Sequence, residues 1–406
     1  MIHDALIVGS GPAGSTAARL LAQAGWSVAL VEKSVFPRRK VCGEFISATS
    51  LPLLDGADIG GAFLAQAGPE VRRVALFSGA VTTSSPMPPV QNGAGAWGRA
   101  LGREHLDGLL RDAAVRAGAT LFQPYKLVSL QRSNGVHLAQ IEGDGDTLGL
   151  AARIVIAANG SWERGALSIP ARPHQASDLL AFKAHFHAAD LPQDLMPLLM
   201  FRGGYGGMAS TDGGRVSLSC CIRRDTLAQS RRTYPALSAG EAVLAHIRSH
   251  CQGVQDALHW AELAGPVLSA GPIRPGARPV HCAGVFRIGN AAGEAHPIIA
   301  EGISMAMQSA WLLCRRLIAD QDAIATGSDT RAIGSAYGRD WRGHFGLRLH
   351  AAAALAALAM RPAGAALAAA TVQRIPGLLT WGARISGKAA DDVVRGPSQA
   401  DAAVRV

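Results

Sequence analysis

The segment from Ile2 to Lys33 constrains the fold of this chain more than any other part of the sequence. It contains an apolar run, a glycine-rich turn, an Ala- and Leu-rich stretch, and a second apolar run that ends at Glu32. Short apolar runs of this kind are typical of parallel strands buried on both faces. The segment therefore predicts a strand, a turn, a helix and a second strand, the first unit of a doubly wound α/β sheet.

The turn after the first strand has the spacing G-x-G-x-x-G. Gly9 permits a tight turn, Gly11 leaves space for a pyrophosphate, and Gly14 lets the helix lie close to the sheet. The helix start presents free N–H groups to an anion. The Glu32 carboxylate, after the second strand, is placed to accept a hydrogen bond from a ribose hydroxyl. A chain with 47 glycines produces chance matches, so the assignment depends on the elements around the turn. The residues expected to hold a dinucleotide here are Gly9, Ser10, Gly11, Pro12, Ala13, Gly14, Glu32 and Lys33.

The charges and cysteines of the sequence argue against a nucleic-acid-binding arm, a metal site and a disulfide framework. The net charge of +9 comes mostly from arginine, and the sequence has no block of five like charges that would indicate a nucleic-acid arm. Binding of an anionic cofactor or substrate better explains the positive charge. The six cysteines show no C-x-x-C pair, so we expect no metal site, no disulfide framework and a reducing cytoplasm.

No uncharged apolar stretch is long enough to cross a membrane. The nearest candidate, 351–372, is divided by Arg361-Pro362 and reads as helices packed on the body of the protein. We expect no membrane span and, because the first strand lies at the N-terminus, no signal peptide. The sequence leaves peripheral membrane contact and the oligomeric state open.

The order of apolar patterns predicts a discontinuous domain organisation. The helical segment 48–64 is followed by alternating residues at 71–87, and a helical pattern returns at 97–118. A long β-like region, 179–223, then separates these elements from another buried strand at 285–289. The boundaries that we expect are 1–69, 101–169 and 276–325 for the nucleotide domain, 70–100 and 170–275 for an inserted antiparallel β-sheet substrate domain, and 326–406 for a helical C-terminal region.

Three glycine motifs and one cysteine motif resemble a known family. Gly9-x-Gly11-x-x-Gly14, Asn159-Gly160, and Gly289-Asn290 with Pro297 and Glu301-Gly302-Ile303 resemble the cofactor fingerprints of FAD-dependent enzymes with the p-hydroxybenzoate hydroxylase fold. Pro37-x-x-Lys40-x-Cys42-Gly43 is similar to the P-x-x-K-x-C-G signature of the geranylgeranyl reductase branch. The resemblance covers residues 1 to about 320 and implies an FAD-binding Rossmann-type domain, FAD as cofactor and NAD(P)H as transient electron donor. The residues that it adds to the FAD site are Lys40, Arg103, Asn159, Gly160, Gly289, Asn290, Pro297, Gly302 and Ile303.

The chain departs from the family pattern at four positions. Asn159 and Asn290 stand where the family has Asp, and an Asn can still accept one hydrogen bond from the ribityl chain. Ala300 replaces a glycine, and Glu44 replaces the second glycine after the cysteine. The departures at Ala300 and Glu44 concern the substrate more than the cofactor.

Three residues are candidates for catalysis. By resemblance Cys42 lies against the flavin ring near the substrate, although a bystander thiol is the alternative. Tyr205 lies among four glycines, which suggests backbone close to a flat ligand or a hairpin turn with a packed tyrosine. His296 precedes Pro297 near the expected ring and is able to move a proton, unless its role is structural. The N–H groups of Gly302 and Ile303 would stabilise negative charge on the ring.

The resulting hypothesis is an FAD-dependent oxidoreductase acting on an apolar or aromatic, isoprenoid- or polyketide-derived small molecule. The cysteine signature supports a reductase or dehydrogenase. The general fold, without a second glycine fingerprint for a nicotinamide domain, supports a single-component NAD(P)H-dependent aromatic monooxygenase. The W-x-W-x-I-P signature of tryptophan halogenases is absent, which makes halogenation a distant alternative. A flavoprotein that only binds its cofactor is supported solely by Asn159 and Asn290.

Overall fold

The computed structural model describes residues 1–90, 96–161, 165–167, 173–327 and 329–386. The end of the predicted C-terminal region, 387–406, lies outside the described residues. The strands are β1 (Ile2–Val8), β2 (Val28–Val31), β3 (Phe45–Ile46), β4 (Arg73–Ser78), β5 (Val81–Pro86), β6 (Arg99–Ala100), β7 (Thr120–Phe122), β8 (Lys126–Ser133), β9 (Val136–Gly143), β10 (Asp146–Ala157), β11 (Leu179–His187), β12 (Leu195–Phe201), β13 (Gly204–Ser210), β14 (Val216–Arg223), β15 (Glu262–Leu263), β16 (Leu268–Ile273), β17 (Gly276–Ala277), β18 (His281–Cys282), β19 (Val285–Arg287) and β20 (Gly293–Glu294). The helices are α1 (Pro12–Gln23), α2 (Leu51–Gly56), α3 (Gly60–Gln66), α4 (Arg103–Arg116), α5 (Arg224–Thr233), α6 (Ala239–His250), α7 (Gln252–Ala257), α8 (Gly302–Ala319), α9 (Gln321–Ala325), α10 (Arg331–Ala359), α11 (Pro362–Arg374) and α12 (Gly377–Ser386).

The first sheet has the spatial order β18-β19-β10-β1-β2-β7, and β8 and β9 continue from β10 as an antiparallel meander. β1 is parallel to both β2 and β10, and β19 is parallel to β10. Helices α1 and α8 cover one face with a shared apolar core. The carboxyl ends of these parallel strands therefore meet at one edge, where doubly wound sheets bind their ligands.

The second sheet has the order β15-β11-β14-β13-β12-β4-β5, with β16 also paired to β11. Side chains of α5, α6 and α7 bury one face of this sheet. The sequence predicted an antiparallel sheet, and every pairing here is antiparallel except the one between β12 and β4. That pair is parallel because β4 enters from a distant part of the chain instead of through a hairpin.

The C-terminal helices cover the other face of the second sheet. α10 ends at Ala359 and α11 begins at Pro362, as the Arg361-Pro362 break predicted. Alanines of α10 and α11 pack into one apolar cluster with residues of β4, β11 and β13. Among the described residues no single helix is long and apolar enough to cross a membrane, and one pair bent by 100°, α10 with α11, meets that requirement only jointly. The predicted fold class, a mixed α/β fold with a helical C-terminal region, is confirmed.

Candidate active site

A cavity of about 490 Å³ lies between the carboxyl edge of the first sheet and the inner face of the second. Residues of the glycine turn, the β2 end, the β10 end and the α8 start all contribute to its wall. The sequence-predicted residues that line it are Gly9, Gly11, Pro12, Ala13, Glu32, Lys33, Lys40, Cys42, Arg103, Asn159, Gly160, Tyr205, Gly289, Asn290, His296, Pro297, Gly302 and Ile303. Two predicted residues, Ser10 and Gly14, do not line the cavity.

The glycine turn has the geometry that its spacing predicts. Gly9 adopts a φ of +103°, a conformation that side chains rarely tolerate. A Cβ at Gly14 would lie 1.8 Å from the Gly9 carbonyl oxygen, so α1 packs on the turn only because this residue is glycine. A Cβ at Gly11 would meet only the Arg103 guanidinium, at 3.7 Å. Gly11 therefore faces open space in the cleft.

Glu32 is fixed as an ionised acceptor at the end of β2. Its carboxylate accepts hydrogen bonds from the Ser10 and Ser34 N–H groups, both at 2.9 Å. Burial raises the pKa of Glu32, but the Arg38 guanidinium and those N–H groups outweigh it and hold the pKa below its usual range. Ser10 thus contributes by orienting Glu32, because its N–H is already bound to the carboxylate.

Arg103 begins α4 and lies on the cavity wall. Its Nε and Nη2 donate to the two carboxylate oxygens of Asp107 at 2.7 and 2.8 Å. Burial lowers the pKa of Arg103, but Asp107 and, after it, the Cys42 sulfur outweigh burial and raise the pKa above its usual value. The guanidinium therefore stays charged. The bidentate contact fixes this cation close to Gly11, where a pyrophosphate would be stabilised.

Two asparagines stand where the family has acids. The Asn159 Oδ1 atom is buried and has no hydrogen-bond partner in the part of the chain that the structure describes. The Asn290 amide donates to Glu294 Oε1 at 3.1 Å. A buried acceptor without a donor is costly unless a ligand supplies one. Glycines 160 and 302 leave the space beside them open, since a Cβ on either would meet nothing within 4 Å. These residues fit FAD, which carries ribityl hydroxyls and a flat ring.

The start of α8 forms another part of the cavity wall. Ala300, with a φ of +53°, turns the chain so that Gly302 and Ile303 begin the helix at the cavity wall. Glu301 is buried beside Ser47 and lies 4.0 Å from the Arg348 guanidinium. Burial raises the pKa of Glu301 to about 7 although Arg348 opposes the shift. Glu301, whose ionised form is destabilised by burial, therefore lies beside the start of α8.

We expect Glu301→Gln to stabilise the protein at pH 8 by about 2–3 kcal/mol and to change little at pH 4. The folded-state pKa is raised, so the folded protein binds more protons than the unfolded chain between about pH 4.5 and 7. Stability therefore falls as pH rises through that window, and glutamine removes this loss. Urea unfolding at both pH values measures the effect, and Glu262→Gln on an exposed strand is the control. Equal stability of variant and wild type at pH 8 would contradict it.

The three candidate catalytic residues lie on the wall of the same cavity. Tyr205 is buried in β13, and its hydroxyl lies 3.2 Å from Nδ1 of His296. Burial raises the pKa of Tyr205 and lowers the pKa of His296, so both are neutral near pH 7. Cys42 is half-buried, and its sulfur accepts a hydrogen bond from the Glu44 N–H at 3.4 Å. Tyr205 and His296 therefore form a buried, neutral hydrogen-bonded pair on the cavity wall.

Sequence reasoning missed a buried ion cluster next to Cys42. Glu44 is 1% exposed and holds a left-handed φ of +64°. Its carboxylate contacts Lys183 and lies 2.9 Å from His185 Nε2, both on β11. Burial raises the pKa of Glu44, but His185 and Lys183 together lower it to about 2. Glu44 is therefore an anion that joins the cysteine loop to the second sheet.

One further acidic group, Glu104, His105 and Asp212, has ligand atoms close enough to hold a metal ion. Arg215 already contacts both carboxylates. Because that guanidinium neutralises the acids, the geometry of the group supports an ion-pair network.

We expect Gly11→Val to lower FAD affinity at least tenfold while the protein still folds. The new side chain enters open cleft space, so it displaces the cofactor's pyrophosphate and not the protein's own atoms. Flavin content after gel filtration measures the loss of FAD affinity, and the thermal unfolding temperature without added FAD measures whether the protein still folds. Gly149→Val is the control, because that glycine is exposed on β10 with nothing within 4 Å. Full flavin occupancy in Gly11→Val would disprove the pyrophosphate assignment.

Comparison with known protein families gives a match over most of the chain. A model of the family described as "FAD binding domain" matches residues 3–330. Among curated proteins, the menaquinone reductase of Mycobacterium tuberculosis (strain CDC 1551 / Oshkosh) is 29% identical over 159 residues, which cover 39% of this chain and 38% of that protein. The digeranylgeranylglycerophospholipid reductase 1 of Methanothermobacter thermautotrophicus is 30% identical over 196 residues, 44% of this chain and 45% of that protein. This chain thus matches less than half of the length of either relative.

Solved structures match more of the chain at lower identity. A flavin-dependent brominase superposes with a TM-score of 0.75 and 19% identity, over 100% of this chain and 98% of that one. A geranylgeranyl bacteriochlorophyll reductase-like protein from Thermoplasma acidophilum has a TM-score of 0.67 and 19% identity, over 97% and 94%. At these identities the structures establish the shared fold.

Proposed function

The chain belongs to the FAD binding domain family and is a flavin-dependent enzyme, and from that premise we propose that it is a reductase of an apolar small molecule. NAD(P)H is the proposed transient electron donor. The substrate that we propose is an isoprenoid- or polyketide-derived molecule with a reducible double bond or quinone ring. The Tyr205–His296 pair, a proton-transfer unit in the cavity wall, is the observation that carries the proposal.

The wall around this pair supports an apolar substrate. Ala181, Leu198 and Ile273 line the cavity on the second sheet, and Ile298 lines it from the turn before α8. These side chains exclude water from the region in front of Tyr205. A hydrocarbon chain or ring would gain about 25 cal/mol for each Å² that it buries there.

The residues divide the chemistry between them. Once reduced by NAD(P)H, bound FAD would supply a hydride to one atom of the substrate double bond. The Tyr205 hydroxyl donates a proton to the other atom, and the His296 Nδ1–H replaces that proton while Nε2 takes up one from solvent. The substrate gains one hydride and one proton, and the pair is again neutral with the imidazole proton on Nε2. Exchange of that proton with solvent restores the Nδ1–H tautomer before the next turnover. Cys42 is proposed to contact the substrate beside this pair, because its half-buried thiol shares the cavity.

An anaerobic reduction followed by air tests the proposal. We expect NADPH to bleach the flavin absorbance of the purified protein, and the bleached state to persist until an alkene or quinone substrate is added. The saturated product should then form in a one-to-one ratio with oxidised flavin. Immediate reoxidation in air with a hydroxylated aromatic product would overturn the reductase in favour of the monooxygenase.

We also propose a reducing, cytoplasmic environment. All six cysteines are free thiols, and Cys282 is exposed. Exposed thiols persist in a reducing compartment.

A further inference from the structure

The outer surface of the C-terminal helices is unusually apolar. Within the described residues, large hydrophobic side chains of α10 and α11 stand in solvent, among them Leu347 at 82% and Leu367 at 66% exposure. Trp381 of α12 is 63% exposed. The members of this apolar face are Leu347, Leu355, Leu358, Leu367, Ile375, Leu378 and Trp381. Such a concentration of exposed apolar side chains marks an interaction surface.

The charge of this region has a single sign. From Trp341 to Ser386 the sequence contains five arginines and no aspartate or glutamate. Three of the arginines, Arg361, Arg374 and Arg384, are exposed at the ends of α11 and α12. A surface that combines apolar side chains with exposed cations complements an anionic layer covering a hydrocarbon interior.

The inner surface of the same helices shows that they are firmly attached. Ala352, Ala356 and Ala359 of α10 are fully buried against the cluster that contains Tyr205. The Thr380 hydroxyl of α12 donates to the carbonyl oxygen of Pro86 at 2.6 Å. The 100° bend between α10 and α11 prevents the two helices from forming one straight span. These helices therefore expose an apolar outer surface while their inner surface is fixed to the second sheet.

We propose that this apolar face binds the surface of a lipid bilayer that contains anionic headgroups. The leucines, Ile375 and Trp381 enter the boundary between headgroups and acyl chains, and the arginines contact the headgroups. Because α10 and α11 pack on the cluster that contains Tyr205, binding of this face would hold the cavity close to the bilayer that dissolves an apolar substrate. This last step rests on the proposed function, whereas membrane binding itself does not.

Co-sedimentation of the full FAD-loaded chain with vesicles tests the proposal. We expect binding to vesicles of phosphatidylcholine with one third phosphatidylglycerol, weaker binding to pure phosphatidylcholine, and loss of the difference at high salt. The triple variant Arg361→Glu, Arg374→Glu, Arg384→Glu should bind anionic vesicles at least about 100-fold more weakly, since loss of each basic residue weakens binding about fivefold and each new carboxylate repels the headgroups. The triple variant Leu367→Ser, Ile375→Ser, Trp381→Ser should bind neither kind.

The control is Trp260→Ser, because Trp260 is 78% exposed but lies outside the C-terminal helices. It should bind vesicles like the wild type, and all variants should keep wild-type flavin content. Absence of vesicle binding in the wild type, or unchanged binding in both triple variants, overturns the proposal. A solution dimer that the serine variant dissociates, without vesicle binding, would assign the face to a second copy of this chain. None of these outcomes depends on whether the enzyme is a reductase.

Discussion

We expect replacement of Tyr205 by phenylalanine to lower turnover about 100- to 1000-fold and to leave flavin content at the wild-type value. The change removes only the hydroxyl that lies 3.2 Å from His296 Nδ1, and a positioned proton donor is worth a factor of this size. The ring that fills the cluster beneath α10 is retained, so packing is preserved. Steady-state turnover of the substrate identified by the anaerobic assay, together with flavin absorbance, measures both quantities.

Tyr125→Phe provides a matched control for this experiment. Tyr125 lines the same cavity, near Glu32 and Lys126, and loses the same atom. It should retain turnover within a few-fold of wild type. If Tyr205→Phe turns over normally, the proton donor lies elsewhere and the assignment of Tyr205 and His296 fails, although the cofactor site is unaffected.

Loss of the charge at Glu44 has the second large effect. We expect Glu44→Gln to destabilise the protein by about 3–5 kcal/mol, because it leaves the buried Lys183 ammonium without its counter-charge. The folded-state pKa of Glu44 is about 2, below the ordinary value of 4.5. The stabilisation is therefore fully present above pH 4.5 and is lost as pH falls toward 2. Urea unfolding of both proteins at pH 7 and pH 3 measures how much lower the free energy of unfolding of Glu44→Gln is, and how far this difference shrinks at the lower pH.

The double variant Glu44→Gln, Lys183→Met is the informative control. Removing both charges eliminates the unpaired cation, so the double variant should recover most of the stability that Glu44→Gln loses. His185, the other partner of Glu44, is unchanged in both proteins. A loss of less than about 1 kcal/mol in Glu44→Gln at pH 7 would show that the cluster does not stabilise the fold.

The parts of the fold that could be predicted are specified by neighbouring residues. The β1-turn-α1-β2 unit follows from apolar runs and from glycines whose backbone or packing excludes side chains, such as Gly14. The break between α10 and α11 follows from the fixed φ of Pro362. Motifs that are far apart in sequence, from Gly9 to Ile303, line the same cavity because the parallel strands end at one edge of the sheet.

The parts that were missed involve distant partners. Glu44 and His185 are 141 residues apart, and no local pattern connects them. One signal was available, because Lys183 lies on the inward face of β11 with Ala181 and His185, and a buried lysine requires a counter-ion. The parallel pairing of β4 with β12 had no comparable sequence signal. Asp107, four residues after Arg103, could have been found from helical spacing.

The position of β1 between β2 and β10 has a consequence for biosynthesis. The apolar core around α1 is completed by residues near 286 and by α8 and α10, which leave the ribosome several hundred residues later. Loop closure over such separations is slow, so the nascent chain exposes the apolar face of α1 for most of its translation. The glycine turn is synthesised early, and the cavity wall at Gly302 is synthesised late. We therefore expect FAD to bind only after synthesis of the chain is complete, and the concentration of free FAD at that time to influence how much of the protein reaches its native state.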